Sequence, residues 1–201
     1  MTPRSWFTTA ATGFLHVVDS IAPEQLDRPG LGEWDVRSLL GHAARAFLTI
    51  ETYLAAESGE VTLNDPAEYF VATRAGLADP VAVTERGRTA GKALGAAPTS
   101  TVRELAYRVQ GLVENLPDDA VAMTPVGGIR LIDYLPTRAF ELTVHGLDLA
   151  AATGQSAPAA LLEAAAPALE LAVRISRPDQ RIDLLLAMTG RQRLAEGFSI
   201  L

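Results

Sequence analysis

Cysteine is absent from the 201 residues, which removes disulfides, thiolate metal ligands, iron–sulfur clusters and any cysteine nucleophile together. Thiol chemistry, if there is any, must use a thiol supplied from outside. Lysine is nearly absent as well: one of the 17 basic residues is lysine and the rest are arginine, a bias that with abundant alanine points to a GC-rich bacterial genome. The arginines are interspersed with acids, the formal charge is −7, and no basic block supplies the footprint that nucleic-acid binding requires. No nucleic-acid partner is expected. No window approaches the roughly 20 uninterrupted apolar residues of a membrane span. The start, Met1-Thr2-Pro3-Arg4-Ser5-Trp6, lacks the pattern of a signal peptide. The expectation is a cytoplasmic protein with no membrane partner. There is no Gly-x-Ser-x-Gly elbow to support a Ser-His-Asp hydrolase, and no paired Glu-x-x-His motif to support a ferritin-like di-iron site.

What is present has helical period. Apolar residues at Trp6, Ala10, Phe14, Val17, Val18 and Ile21 predict a first helix over about 5–21, followed by a loop rich in Pro and Gly over 22–33. Asp35 then reads as an N-cap, with Trp34 placed to staple onto Leu39, and a second helix runs to about residue 56. A short helix is expected over 64–74, begun by Asp65 and Pro66. Helical spacing over 79–94 and again over 99–116, with a break or kink at 95–98, predicts a third long element. Thr124-Pro125-Val126-Gly127-Gly128 is a turn signal between two very short extended pieces within 121–130.

A further helix, capped by Asp133 and starting at Tyr134 with Pro136 in its first turn, is expected to stop at Thr153-Gly154. Residues 158–175 form an alanine-rich helix suited to close packing, with Pro167 as a local kink, and 181–188 a last apolar segment. No long alternation of β type and no repeat occurs. The expectation is an all-α chain forming one domain over 1–201, an antiparallel helix bundle over about 5–155 with a C-terminal helical extension over about 156–201. Apolar residues exceed what one bundle core needs, which makes a homodimer plausible.

Only three histidines exist, His16, His42 and His145. On a helical wheel centred on Glu141, Arg138 falls at about +60°, His145 at about +40° and Asp148 at about −20°. The four make one narrow polar stripe, flanked by Phe140, Leu142, Leu147 and Leu149, so it faces inward. Burying such groups is costly unless each is paired or metal-bound. Two readings stay open: an internal Arg138–Glu141 ion pair beside a hydrogen-bonded histidine, or half of a metal site. His42 lies at the edge of an apolar arc (Leu39, Ala43, Ala46, Phe47, Ile50, Leu54), where a third ligand could reach the stripe. His16 competes for that place and is assigned a packing or supporting role.

The run Gly32-Glu33-Trp34-Asp35-Val36-Arg37-Ser38-Leu39-Leu40-Gly41-His42, together with Tyr134-Leu135-Pro136-Thr137-Arg138-Ala139-Phe140-Glu141-Leu142-Thr143-Val144-His145-Gly146-Leu147-Asp148, resembles the mycothiol-dependent maleylpyruvate isomerase family of the DinB/YfiT-like superfamily. The tail Leu184-Leu185-Leu186-Ala187-Met188-Thr189-Gly190-Arg191, followed by Gly197-Phe198-Ser199, is similar to the ends of short actinobacterial members. The resemblance implies a four-helix bundle in which His42, Glu141 and His145 match three divalent-metal ligands, usually for zinc. Two imidazoles and a carboxylate leave a coordination position open, the pattern of a catalytic site. Arg138 and Asp148 are candidates for supporting the ligands or for structural pairing.

A metal at an open position lowers the pKa of a bound thiol. The implied function is therefore isomerisation of, or S-transfer to, a small electrophile with an external thiol such as mycothiol. Fuller isomerase members carry an additional C-terminal domain, for which the residues after about 155 leave little room. Maleylpyruvate itself is accordingly not carried over as substrate. A metal-dependent hydrolase and a non-catalytic metal- or ligand-binding bundle with a stress or sensing role are the alternatives.

Overall fold

Helix α1 (Pro3–Asp19) opens the chain in the computed structural model, which describes residues 1–57, 59–77 and 79–201. A capping box closes its first turn: the Ser5 amide donates to Thr2 Oγ1 at 3.2 Å and the Thr2 amide donates to Ser5 Oγ at 2.9 Å. The helix buries Phe7, Ala10, Phe14, Val17 and Val18 against the core and leaves His16 exposed. The packing or supporting role expected of His16 is therefore overturned, because the apolar residues that turn α1 inward put that ring on the outer side.

Helix α2 (Val36–Leu54) starts at the expected cap, where Asp35 accepts from the Ser38 amide at 2.7 Å. A three-residue strand β1 (Val61–Leu63) and helix α3 (Pro66–Leu77) follow. Residues 80–115 do not form one long element: α4 (Pro80–Ala93) lies along α2, whereas α5 (Pro98–Asn115) packs on both α2 and α1. Gly95, at φ 72°, adopts the left-handed conformation that ends α4, and Pro98 occupies the first turn of α5. The two helices diverge because α4 is drawn onto α2 where glycine meets glycine. A Cβ on Gly41 would lie 2.2 Å from the backbone nitrogen of Gly91.

The chain is mostly helical, so the all-α expectation broadly fits, and a small three-stranded sheet is added to it. Strands β2 (Val121–Thr124) and β3 (Gly127–Arg130) form the anticipated hairpin, and β1 pairs with β3 in parallel to give the order β1-β3-β2. Helix α6 (Leu131–Thr153) leaves β3 without a loop, so it begins three residues before Tyr134 and Asp133 is not its cap. Side-chain capping is unnecessary there, since the Leu131 and Ile132 amides donate to the carbonyls of Ala120 and Asp118 at 2.7 and 3.1 Å. Asp133 instead pairs with Arg130 at 2.6 Å, and Pro136 falls in the second turn.

Helix α6 packs on α1 and α2, and α5 packs on the same two helices. Gly154, at φ 71°, stops α6 where expected. Helix α7 (Ala159–Ile175) then folds back on α1 and α6, with Leu161 seated against two glycines. Cβ atoms at Gly13 and Gly146 would stand 2.8 and 2.9 Å from the Leu161 side chain. Trp6 Nε1 donates to the Ala164 carbonyl at 3.1 Å, tying α7 to α1. Helix α8 (Pro178–Met188) is largely exposed. The buried apolar residues form one connected cluster from Trp6 to Ile175. Among the described residues no helix is long and apolar enough to cross a membrane.

Candidate functional site

The polar stripe of α6 faces inward, as its flanking residues require. Arg138 is buried, and Glu141, His145 and Asp148 are partly buried. His145 stands between two carboxylates: its Nε2 is 3.2 Å from Glu141 Oε2 and its Nδ1 is 3.0 Å from Asp148 Oδ2. Both contacts follow from helical spacing, one at i−4 and the other at i+3. Burial works against a charged imidazole here, but the hydrogen bonds to Asp148 and Glu141 outweigh it and push the His145 pKa up to about 9. For Glu141, burial is likewise outweighed, by the hydrogen bond and charge of His145 and by Arg138, and its carboxyl stays well below the usual range. The internal Arg138–Glu141 ion pair left open by the sequence is not formed; the partner of Glu141 is His145.

His42 approaches from α2, with its ring centroid 4.9 Å from that of His145 and the planes at 85°. One ligand-type atom from each of His42, Glu141 and His145 lies within 4.8 Å of the others. The indole of Trp34 stacks on His42 at 4.5 Å between centroids and 34° between planes. That indole is held by a hydrogen bond from Nε1 to the Thr84 carbonyl at 2.9 Å, across the α2–α4 contact. A Cβ on Gly87 would meet the ring at 2.4 Å, so α4 supplies both the acceptor and the room. Burial above all, with the charge of His145 next, lowers the His42 pKa to about 4 and keeps the ring neutral near pH 7. Its Nδ1 is buried with no hydrogen-bond partner. Such a nitrogen costs free energy unless something other than the protein satisfies it.

Glu141, His42 and His145 open into a cavity of about 770 Å³ whose walls include Trp34, Tyr53, Tyr69, Phe70, Pro125 and Arg138. That size suits a small organic molecule. Arg138 lies against two aromatic rings, with Cζ 5.2 Å from the Tyr69 centroid and 4.9 Å from that of Tyr134. Its Nε donates to Thr137 Oγ1 at 2.9 Å. Tyr134, fully buried, donates to Thr49 Oγ1 at 3.0 Å, and burial holds its pKa above the ordinary value.

The structure thus brings His42, Glu141 and His145 together, sets Asp148 behind His145 and Arg138 one turn away, and leaves His16 outside. Sequence reasoning missed the aromatic wall. Tyr134, seven residues before Glu141, falls about +20° from it on the wheel and so shares the stripe; that signal was present. Tyr69 and Tyr53 come from α3 and α2 and had none. Trp34 was read as a helix staple, and nothing in the sequence signalled that its indole also stacks on His42. The family model of the mycothiol maleylpyruvate isomerase N-terminal domain matches residues 7–150, a span that carries all the residues of this cluster. No curated protein and no solved structure matches the chain.

Proposed function

Because the chain belongs to the mycothiol maleylpyruvate isomerase N-terminal domain family, we propose that it is a divalent-metal-dependent enzyme. It uses an external thiol of the mycothiol type to isomerise, or add sulfur to, a small electrophile. His42, Glu141 and His145 would hold the ion, and zinc suits two imidazoles and one carboxylate. The observation that carries the reading is the convergence of these three donors on one point of the cavity, with the buried Nδ1 of His42 unpartnered. When bound, the ion supplies Lewis-acid charge that favours the thiolate over the thiol.

The residues of this chain do the rest. Asp148 accepts from Nδ1 of His145, which fixes the ring and points Nε2 at the ligand position. Trp34 holds the plane of His42. The cavity beside them is large enough for a thiol and a second reactant together. The absence of cysteine makes an outside thiol the only source of sulfur nucleophile. The scaffold for this is taken to be an antiparallel four-helix bundle of α1, α2, α5 and α6 within one domain, with α7 and α8 as its C-terminal extension.

Untagged protein should contain close to one divalent ion per chain by elemental analysis, lost in His42→Ala and His145→Ala. A calorimetric titration should then show mycothiol, or a simpler thiol, binding the loaded protein and not the stripped one. If the wild type takes up no divalent ion under any loading condition, both this reading and a metal-dependent hydrolase fail. If the ion binds and no thiol does, the thiol reading fails and a hydrolase or a non-catalytic metal-binding role stands in its place.

A further inference from the structure

One wall of the cavity is built by a segment that leaves the body of the protein and returns to it. After α8 the residues 189–197 are all exposed, and the chain comes back at 198–201. Gly197, at φ 72°, takes part in the reversal, with the Phe198 amide donating to the Ala195 carbonyl at 3.1 Å. Ile200 then packs against the apolar core, and Ile200 and Leu201 line the cavity together with Ile175 of α7. Leu201 stays exposed while lining the cavity, which places the segment at its rim. All three residues lie outside the span 7–150, so the family match covers His42, Glu141 and His145 and leaves this wall unspecified.

Two side chains of the body hold the segment. Arg74, in the last turn of α3, donates from Nη1 to the Ile200 carbonyl at 3.0 Å. Gln180, buried in the first turn of α8, donates from Nε2 to the Ser199 carbonyl at 2.7 Å. Its own Oε1 accepts from the Arg177 amide at 3.0 Å, which fixes the donor in place. The Leu201 amide folds back onto Ser199 Oγ at 3.1 Å. The carbonyls of Ser199 and Ile200 are thereby spent on the body, and the side chains at 200 and 201 offer the cavity hydrocarbon alone. Two hydrogen bonds to carbonyls and one partly buried isoleucine are a light hold beside the packing of a helix, and a segment held so lightly opens at little cost.

We propose that residues 197–201 form a strap that sets the size of the molecule the cavity admits, with Ile200 as the specificity-determining side chain. Bulk at position 200 subtracts directly from the space between the strap and the cluster of His42, Glu141 and His145. A small molecule fits without touching the strap, whereas one that fills the cavity presses on Ile200. Gln180, which does not line the cavity, governs how readily the strap gives way. The inference deepens the proposed function and rests on it only in taking this cavity as the place of the ligand; no metal enters it.

The test uses full-length protein stripped of metal with a chelator, so its failure is distinguishable from failure of the metal reading, which elemental analysis decides. Two uncharged probes of different size are compared: N-phenyl-1-naphthylamine, followed by its fluorescence, and benzyl alcohol, followed by NMR titration. The larger probe should bind the wild type and shift the Ile200 methyl resonances. Ile200→Trp should weaken the larger probe at least tenfold and the smaller less than threefold. Ile200→Ala should move the ratio of the two affinities at least threefold in favour of the larger, and it covers the case in which tryptophan disturbs the strap itself. Gln180→Ala should raise the association rate of the larger probe at least threefold in stopped flow. No binding of the larger probe to the wild type, or binding that leaves the Ile200 methyl resonances in place, would overturn the proposal. So would an equal effect of Ile200→Trp on both probes, or an association rate indifferent to Gln180→Ala.

Discussion

His145 and His42 face one another across 4.9 Å between ring centroids, yet the walls that hold them differ in kind. His145 is held by charge from its own helix: Glu141 one turn before and Asp148 one turn after saturate both nitrogens. His42 is held by shape, stacked under Trp34 and left with a buried nitrogen that nothing in the protein satisfies. One wall is written within eight consecutive residues of α6. The other needs α2, the segment before it and α4, brought together at Gly41 and Gly91. A site built this way is over-supplied with protons on one side and under-supplied with partners on the other. The cation of the proposed function would remove both defects.

The largest expected effect breaks the two walls separately. His42→Ala and His145→Ala should each lower divalent-metal affinity roughly a hundredfold or more, while their effects on the metal-free protein diverge. Removing His145 takes from Glu141 and Asp148 the cation that lies between them and should cost about 2–3 kcal/mol in urea unfolding. Removing His42 relieves the unpartnered nitrogen and should change stability by less than about 1 kcal/mol. Equal destabilisation by both would erase the distinction.

Proton competition gives the next effect. His145 must release its proton to serve as a ligand, and its pKa is raised to about 9, so apparent metal affinity should climb by about tenfold per pH unit from pH 6 to pH 8. His42, at about 4, is already neutral there and contributes no slope. In the metal-free protein the two histidines act in opposite senses. The contribution of His145 is full below its ordinary 6.5 and is lost as pH rises through about 9; that of His42 is full above 6.5 and is lost as pH falls toward about 4. Urea midpoints should therefore decline on both sides of a maximum near pH 6.5.

Changing the supports should have smaller consequences. Asp148→Asn should cost about tenfold in metal affinity and move the pH profile toward lower pH, because His145 loses a partner that raises its pKa. Trp34→Leu should cost a comparable or smaller factor and leave the profile where it is, because the indole constrains geometry and not charge. Smallest of all, Arg45→Met removes one of the charges that depress His42, and its imidazole should titrate upward by NMR with His145 nearly unmoved.

How much of this was legible depends on whether the partners are neighbours along the chain. The α6 stripe was readable because helical geometry alone sets Glu141, His145 and Asp148 in a row, and Tyr134 belongs to the same row. The helices other than α6 were close to expectation in extent, since 3.6-residue periodicity and Pro, Gly and Asp punctuation are local properties. Strand β1 was not readable: three residues are too short to show alternation, and its pairing with β3 spans more than 60 positions. The start of α6 was misplaced because its first amides are satisfied by Asp118 and Ala120, carbonyls a capping rule does not consider. Splitting of α4 from α5 was visible as Gly95 and Pro98, but the direction of α4 was set by the glycine contact with α2.

The sequence by itself determined a mostly helical chain, the absence of any cysteine thiol in these residues, and a carboxylate–imidazole–carboxylate row on one face of one helix. It also carried the span 7–150 by which the chain belongs to its family. Only the tertiary structure decided that His42 and not His16 meets that row, that Glu141 pairs with His145 and not with Arg138, and that Arg138 lies against two tyrosine rings. The reason is physical: a helix fixes the relations between residues three, four and seven apart, whereas what stands opposite them depends on how whole helices pack.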